Sequence, residues 1–370
     1  MPGMLSMAGG LPAPDLFPVA ELTDAVDAVL REEAAAALQY GPVAGVPAMR
    51  EWIAQRSGET GARTDPSRVL VTSGSQQGLD LLARSLLTLG DVVALDDPSY
   101  LGAVQIFRTA GAELAAVPSD EDGMDTDALA ALLRGGMRCR LVYVVPHFHN
   151  PTGGVLSLRR RRHLAELAER YGFLIVEDDP YADLSFDGVR LPSIDQHTDQ
   201  VVRLLSLSKT LCPGFRVAGL CGPATVVASV TSAKQRADLQ TNTFGQHVLA
   251  RLLARPGFLA AHLDRLQRHY QARARRLARL LMDRVPWLAF PEPTGGLFFW
   301  CTITSGVHAT ELWRACAAAG VAVVPGEPFR VERDSGTNLR LSYATLTADE
   351  ASTAVDRLAA AHTQLARAAG

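Results

Sequence analysis

Short apolar segments alternate with helix-like segments between residues 68 and 222, and this alternation limits the possible folds more than any other feature of the sequence. An apolar segment followed by a helix and another apolar segment is typical of strand–helix–strand units. The pattern predicts an α/β protein with a mainly parallel, seven-stranded sheet in a three-layer arrangement. The predicted strands are residues 69–72, 92–95, 113–117, 141–145, 173–176, 203–207 and 217–222.

Helical periodicity fills the intervals between these strands. Residues 77–87, 126–134 and 158–171 carry apolar side chains at helical spacing. The third of these helices contains the basic run at residues 159–162, which we interpret as a solvated helix face and not as a binding site.

The chain of 370 residues is long enough for one large domain and a smaller one. A long helical stretch at residues 256–281 precedes three closely spaced prolines, and strands are predicted at residues 296–303, 322–324 and 338–343, followed by a helix from residue 348 onward. We expect a large domain at residues 41–255 and a smaller α+β domain at 256–370. Residues 1–40 should contribute to the small domain and to the active site.

Composition excludes several classes of function. A net charge of −3 gives no basic surface for nucleic acid. Five cysteines without a CxxC pair favour neither a disulfide framework nor a zinc site, and no metal is expected. The sequence has no apolar run of membrane-spanning length and no signal-peptide pattern at its start, so a cytoplasmic protein that does not bind membranes is expected.

Only two of the 36 basic residues are lysines, Lys209 and Lys234. A bias toward arginine can replace lysine on a surface, but not where an amine must lose its proton and attack a carbonyl. Lys209 is therefore a candidate catalytic residue. Lys234 has no functional motif beside it in the sequence and is interpreted as an ordinary lysine.

Four motifs follow predicted strands. Ser206–Lys209 is followed by Arg216, an arrangement that suits an imine beside a phosphate, and residues 72–78 open a helix whose free N–H groups favour an anion. Residues 176–181 contain paired acids, and residues 150–154 read Asn-Pro-Thr-Gly-Gly. Taken singly, each motif has another interpretation. The first could be an ordinary loop lysine and the second a helix cap, while the paired acids could be a metal site and residues 150–154 a turn.

Together and in this order, the motifs resemble the class I/II aminotransferases, which have the fold type I of enzymes that use pyridoxal phosphate (PLP). The resemblance extends over the whole chain through AGGLPAPDLFP, QYGP, DPSY, TGGLF and NLRLS. Within this family the chain is most similar to the branch of 2-aminoadipate and broad-specificity aromatic and branched-chain aminotransferases.

The resemblance implies a PLP cofactor attached to Lys209 as a Schiff base, with Lys209 also acting as the general base. It implies that Asp178 faces the pyridine nitrogen and keeps it protonated. Tyr181 and Asn150 would hydrogen-bond the phenolic oxygen, and Tyr100 would stack on the ring.

The resemblance also implies how the phosphate and the substrate are held. Arg340 would bind the substrate carboxylate as a bidentate pair, with Asn150 and Gly10 beside it. Tyr40 would reach the phosphate of a neighbouring subunit, which implies a homodimer with shared active sites. The remaining phosphate contacts would be Ser75, Gln76, Ser206, Ser208 and Arg216.

The implied reaction is ping-pong transamination from an L-amino acid to a 2-oxo acid, with 2-oxoglutarate as the expected acceptor. The same site could support elimination, racemisation, decarboxylation or oxidation in specialised metabolism, and the motifs do not decide between these reactions. A ligand-sensing transcription regulator with an aminotransferase-like domain is a third possibility, which the absence of a basic face disfavours. Two histidines, His147 and His149, stand where relatives commonly have other polar residues; each could affect substrate choice or be a satisfied loop histidine.

Overall fold

The computed structural model describes residues 3–332 and 336–369, so the outer limits of the expected domains, residues 1 and 370, lie outside it. Its strands are β1 (Leu5–Ser6), β2 (Val69–Thr72), β3 (Val92–Asp97), β4 (Glu113–Asp120), β5 (Gly123–Met124), β6 (Cys139–Val144), β7 (Leu174–Asp178), β8 (Val201–Ser206), β9 (Ala218–Cys221), β10 (Leu288–Ala289), β11 (Phe298–Ile303), β12 (Val321–Ala322), β13 (Val324–Pro325) and β14 (Asn338–Ser342).

The helices lie between these strands, and the last one follows β14. They are α1 (Val19–Glu32), α2 (Ala34–Ala37), α3 (Pro47–Gly58), α4 (Ser75–Leu86), α5 (Leu101–Thr109), α6 (Thr126–Arg134), α7 (Leu158–Tyr171), α8 (Ala224–Ala237), α9 (Thr243–Leu253), α10 (Phe258–Arg284), α11 (Ala309–Ala318) and α12 (Ala348–Ala369).

A large sheet in the order β2-β9-β8-β7-β6-β3-β4-β5 forms the centre of the fold. Its middle strands β8, β7, β6, β3 and β4 are parallel, whereas β9 is antiparallel to both of its neighbours. The predicted α/β class with a mainly parallel sheet is confirmed. The seven expected strands are present, and the two-residue β5 adds an eighth at the edge.

Both faces of this sheet are buried, as the continuous apolar segments require. Along β6, Leu141 and Tyr143 belong to the apolar cluster that contains α4 and α5 side chains, whereas Val142 and Val144 belong to the one that contains α6 and α7 side chains. Alternate side chains of one strand therefore serve opposite layers. This arrangement leaves the strand ends, and not the faces, as the places where polar side chains can meet.

Two arginines of α7 contradict the predicted solvated face, whereas Arg159 and Arg162 are exposed as expected. Arg160 and Arg161 are 5% and 0% exposed, not solvated. Arg160 pairs with Asp120 and donates to the Gly123 carbonyl oxygen, and Arg161 donates to the carbonyl oxygens of Leu156 and Pro146. The two guanidinium groups lie over loop carbonyls at the edge of the sheet, where their fixed donors satisfy backbone acceptors that burial would otherwise leave without partners.

A second sheet, β10-β11-β14-β13, is antiparallel and contains Arg340 in its central strand β14. Arg340 stands opposite Trp300 on β11 and Val324 on β13. The N-terminal strand β1 pairs with β12, which brings the segment after β1 toward the same region. Among the described helices, none is long and apolar enough to cross a membrane.

Candidate active site

A cavity of about 550 Å³ opens where the carboxyl ends of β2, β6, β7 and β8 meet the start of β9. Parallel strands bring their carboxyl ends to one edge, so residues from distant parts of the chain converge there. All the predicted site residues except Tyr40 line this cavity. They are Gly10, Ser75, Gln76, Tyr100, Asn150, Asp178, Tyr181, Ser206, Ser208, Lys209, Arg216 and Arg340.

Lys209 projects into the cavity from the loop that follows β8. Its ammonium group donates a hydrogen bond of 2.7 Å to the carbonyl oxygen of Gly10. Burial lowers the pKa of Lys209. The positive charges of Arg216 and Arg340 lower it further, and the negative charge of Asp178 raises it. The surroundings therefore favour the neutral amine, the form that attacks a carbonyl.

Asp178, the last residue of β7, is 4% exposed. Its Oδ2 accepts a hydrogen bond of 3.0 Å from the Tyr143 hydroxyl, whereas Oδ1 is buried without a hydrogen-bond partner among the described residues. Burial raises the pKa of Asp178 to about 7, against the Tyr143 hydrogen bond and the Lys209 charge, which lower it. A buried carboxylate oxygen with no partner is suited to a cationic N–H group of a ligand.

Other residues of the cavity, around Arg216 and Ser75, suit an anion. Arg216 donates to the Ser73 carbonyl oxygen at 3.2 Å and approaches the Ser208 hydroxyl at 3.4 Å. Gly74 has φ of +86°, which favours glycine, and a Cβ there would lie 2.2 Å from an Arg216 nitrogen, so a larger residue would displace this guanidinium. Helix α4 begins at Ser75, whose buried hydroxyl has no partner within the described chain. Free N–H groups, hydroxyls and a guanidinium together suit a phosphate.

Arg340 forms a second cationic position, 8% exposed. It donates to Asn150 Oδ1 at 2.7 Å and to the Ala8 carbonyl oxygen at 2.5 Å. Its guanidinium carbon lies 4.3 Å from the Phe298 ring centre and 4.8 Å from that of Phe329. Burial lowers the pKa of Arg340 to about 10, so the side chain is still a cation at neutral pH and lies over both rings.

Two tyrosines complete the wall between these positions. Tyr181 is 3% exposed, and burial raises the pKa of its hydroxyl. Tyr100 donates to Gln76 Oε1 at 3.1 Å, which links the residue expected to stack on a ring with the phosphate end. Both hydroxyls are therefore protonated at neutral pH. The Tyr100 hydrogen is already donated to Gln76, so Tyr181 is the tyrosine whose hydroxyl can donate to a ligand.

Three of the residues that sequence analysis discussed have other surroundings. Tyr40 is 77% exposed and lies outside the cavity of its own protomer. His147 is buried and bonds Asp179 Oδ2 at 2.9 Å, while its Nε2 accepts from the Leu191 N–H, so it is a satisfied loop histidine. His149 bonds Thr152, and burial lowers its pKa to about 3, which keeps it neutral.

Sequence reasoning missed Tyr143, because a tyrosine inside an apolar strand segment looks like a core residue. It also missed the other lining residues, which come from α5, from the segment around β13 and from the segments that follow β1, β6 and β7. These further lining residues are Leu11, Leu101, Gly102, Gln105, Val145, Pro180, Val324 and Phe329.

The residues present fit PLP. The cavity offers an amine for its carbonyl group, a buried carboxylate oxygen without a partner for its pyridine N–H, hydroxyl and amide donors for its phenolic oxygen and an anion site for its phosphate. A lysine after a strand of this sheet, facing an acid and an arginine-lined anion site, defines a PLP enzyme of fold type I.

Comparison with known proteins narrows this class. Residues 15–358 match the family described as aminotransferase class I and II. The sequence is 40% identical to a 2-aminoadipate transaminase of Thermus thermophilus over 96% of this chain and 89% of that protein. It is 35% identical to aromatic-amino-acid aminotransferase 1 of Thermococcus litoralis over 96% of this chain and 87% of that protein.

A solved structure agrees with these sequence matches. The α-aminoadipate aminotransferase of Thermus thermophilus, crystallised with N-(5'-phosphopyridoxyl)-L-leucine, superposes with a TM-score of 0.93 at 39% identity and covers 99% of this chain and 94% of that one. The chain belongs to the class I and II aminotransferase family, whose enzymes use PLP. The resemblance seen in the motifs is confirmed.

Proposed function

We propose that this enzyme moves the amino group of an L-amino acid to 2-oxoglutarate in a ping-pong cycle, with Lys209, Asp178 and Arg340 as its central residues. The observation that carries the proposal is their placement around one cavity, with the free Asp178 oxygen, the Lys209 amine, the Arg216 anion site and the Arg340 cation all lining it. Bound PLP supplies an electron-withdrawing ring that stabilises negative charge at the substrate Cα.

Lys209 has two tasks in this proposal. As a neutral amine it can condense with the cofactor aldehyde, with release of water, to give the Schiff base that would hold PLP between turnovers, and as the freed amine it would accept a proton from the substrate Cα. The lowered pKa of Lys209 supports both tasks, because only the unprotonated amine can attack the aldehyde or accept that proton. Its hydrogen bond to the Gly10 carbonyl oxygen indicates how the freed amine is kept near its working position.

Asp178 holds a proton on the pyridine nitrogen. Its unpaired Oδ1 would receive that N–H, and its Oδ2 stays oriented by Tyr143. At about 4 Å and an effective dielectric near 20, a pair of opposite charges gains about 4 kcal/mol. This energy is enough to keep the ring protonated and electron-withdrawing.

Arg340 binds the substrate α-carboxylate. Two of its nitrogens already bond Asn150 and Ala8, and the flanking Phe298 and Phe329 rings fix the plane of the guanidinium. A fork fixed in this way offers two parallel N–H groups to a carboxylate, which places the substrate Cα at a constant distance from Lys209.

The wall beyond Arg340 favours a donor with an apolar side chain. It contains Leu101, Val324 and Phe329, and among the described residues lining the cavity the cations are Lys209, Arg216 and Arg340. Each of these cations has another task in this proposal, so a distal carboxylate would depend on neutral donors such as the Gln105 amide. Leucine-like or aromatic side chains match the wall without such a partner.

A homodimer would complete the site. Tyr40 is 77% exposed in one protomer, and beside it Gly41 donates to Gln240 on the segment that follows α8. An exposed tyrosine held on an ordered segment suits a contact with the phosphate of a second subunit. All five cysteines are free thiols, which fits the reducing cytoplasm that we propose as the location.

The test follows the two half-reactions separately. Purified enzyme loaded with PLP should show the absorbance of the Lys209 Schiff base, and leucine or phenylalanine added without oxygen should convert it to the pyridoxamine form. Addition of 2-oxoglutarate should then restore the first spectrum and yield glutamate. Lys209→Ala should lack the Schiff-base absorbance, although Lys234 is still present.

Two results would contradict the proposal. Wild-type enzyme without Schiff-base absorbance would exclude the role of Lys209. Ammonia release or oxygen consumption without glutamate formation would show that the site performs a different reaction.

A further inference from the structure

Lys234, interpreted from the sequence as an ordinary lysine, is buried with 0% exposure on α8. Its ammonium group lies 2.7 and 2.8 Å from the two carboxylate oxygens of Asp238 and 3.1 Å from Gln77 Oε1. All three ammonium hydrogens thus have an acceptor, and α8 is tied to α4 at the end where the anion site lies.

Gln77 connects this ion pair to the phosphate-binding turn. Its Oε1 accepts both the Lys234 ammonium and the Ser73 N–H, the latter at 2.7 Å, while its Nε2 donates to Asp238. The cation and the carboxylate together fix which way the Gln77 amide faces. In the flipped orientation an NH₂ group would face both Lys234 and the Ser73 N–H, so the Ser73 hydrogen bond would be lost.

Ser73 passes this constraint on to Arg216. Its N–H is held by Gln77, and its carbonyl oxygen accepts the Arg216 guanidinium at 3.2 Å. The next residue, Gly74, packs directly against the same guanidinium. A chain of contacts therefore runs from Lys234 through Gln77 and Ser73 to the arginine of the anion site.

The chemistry of this position requires lysine. A buried ammonium with three acceptors close around it is a compact, tetrahedral donor, whereas a guanidinium is longer and planar. Because Lys234 has no exposed surface, the larger group would displace α4 or α8. This requirement explains why lysine persists at one more position of a chain that otherwise uses arginine for its cations.

We propose that Lys234 is a positioning residue for the cofactor phosphate, acting through Gln77 and Ser73 on Arg216. The proposal rests on the proposed function, since it assumes that a phosphate occupies the anion site. Its effect should appear in the binding of PLP and not in the binding of pyridoxal, which has the same ring and aldehyde but no phosphate.

The experiment titrates apoenzyme with PLP and with pyridoxal and follows the Schiff-base absorbance. Lys234→Met should weaken PLP binding about tenfold, the loss expected when a hydrogen bond in the site is misplaced, and should change pyridoxal binding by less than about twofold. Gln77→Ala keeps the ion pair and the 3.4 Å contact of the Ser73 hydroxyl with Asp238, but it removes the hydrogen bond to the Ser73 N–H and should show the same loss. The double variant should lose no more than Gln77→Ala alone.

Arg236→Met is the matched control, because it removes a cation from the exposed side of the same helix and should leave both affinities unchanged. Equal PLP affinity in wild type and Lys234→Met would overturn the proposal, as would equal weakening of PLP and pyridoxal or additive losses in the double variant. If Lys234→Met does not fold, Gln77→Ala decides, and unchanged PLP affinity in it would overturn the proposal. Wild-type enzyme that binds neither compound would instead refute the proposed function.

Discussion

Asp178→Asn should make the apoenzyme more stable and the holoenzyme slower. The Asp178 carboxyl is buried with one oxygen unpaired, and burial raises its pKa from 3.8 to about 7. This shift of about three pKa units means that the ionised carboxylate lowers the free energy of unfolding of the apoenzyme by about 4 kcal/mol at pH 8. Asparagine has no charge and avoids that cost.

The pH dependence has a defined sign. Since the pKa is raised in the folded state, Asp178 contributes its full stability below pH 3.8 and loses it as the pH rises toward about 7. Wild-type apoenzyme should therefore lose this stability between about pH 4 and 7, and Asp178→Asn should lack that part of the slope. An unfolding entropy of about 2.1 cal/mol/K per residue converts 4 kcal/mol into a rise of about 5 °C in the Tm of the variant at pH 8.

The same substitution removes the charge that keeps the pyridine nitrogen protonated. An ion pair of about 4 kcal/mol corresponds to a rate effect of up to about 10³-fold on the half-reaction with an amino acid. The assays are thermal unfolding of apoenzyme at pH 5 and pH 8, at one protein concentration, and single-turnover absorbance of the holoenzyme. The exposed Asp199→Asn is the control and should leave both measurements unchanged. A variant that melts with the wild type at pH 8, or reacts within tenfold of its rate, would refute the reasoning.

Four further substitutions test individual contacts. Tyr143→Phe removes the hydrogen bond that lowers the pKa of Asp178, so the half-reaction should slow up to about tenfold while PLP still binds, as measured by single-turnover absorbance. Arg340→Lys cannot form a bidentate pair and should raise the KM for the amino donor about 10- to 100-fold in steady-state assays; an unchanged KM would exclude its carboxylate role. Gln105→Leu should raise the KM for 2-oxoglutarate about tenfold but should not raise the KM for a 2-oxo acid with an uncharged side chain. Tyr40→Phe should weaken PLP binding about tenfold in a titration, although the side chain is exposed in one protomer, and equal affinity would count against the shared site.

Local pattern predicts seven of the eight strands of the large sheet. The limits of β2 and of α6 and α7 agree with the prediction to the residue, because each is bounded by polar or glycine positions and has one unbroken period. The antiparallel direction of β9 and the short β5 were not predicted. Strand direction depends on which edge a connection crosses, and no property of a four-residue apolar segment encodes that choice.

The sequence predicts the site residues that lie in polar motifs at strand ends. It does not predict those that lie inside apolar strands or are buried by contacts with distant segments. Asp178 and Lys209 belong to polar motifs that interrupt an apolar pattern, so they stand out. Tyr143 lies within an apolar strand, and only the adjacency of β6 and β7 brings its hydroxyl to Asp178. Arg160 has the polar character of a surface position, and its burial depends on loop carbonyls from distant segments.

The two lysines show how a compositional argument can be correct yet applied too narrowly. The rarity of lysine indicates positions that arginine cannot serve, and the motifs that flank Lys209 in the sequence identify it as one of them. Lys234 has no such neighbours in the sequence, yet its acceptors are Asp238, which directly follows α8, and Gln77 on α4, 157 residues away in the chain. Arginine cannot replace Lys209 because that position requires an amine that loses its proton. It cannot replace Lys234 because that position requires a small cation with three acceptors close around it. Each lysine of this lysine-poor chain is therefore retained for a different property of its amino group. The contacts in the folded chain show which property each position requires.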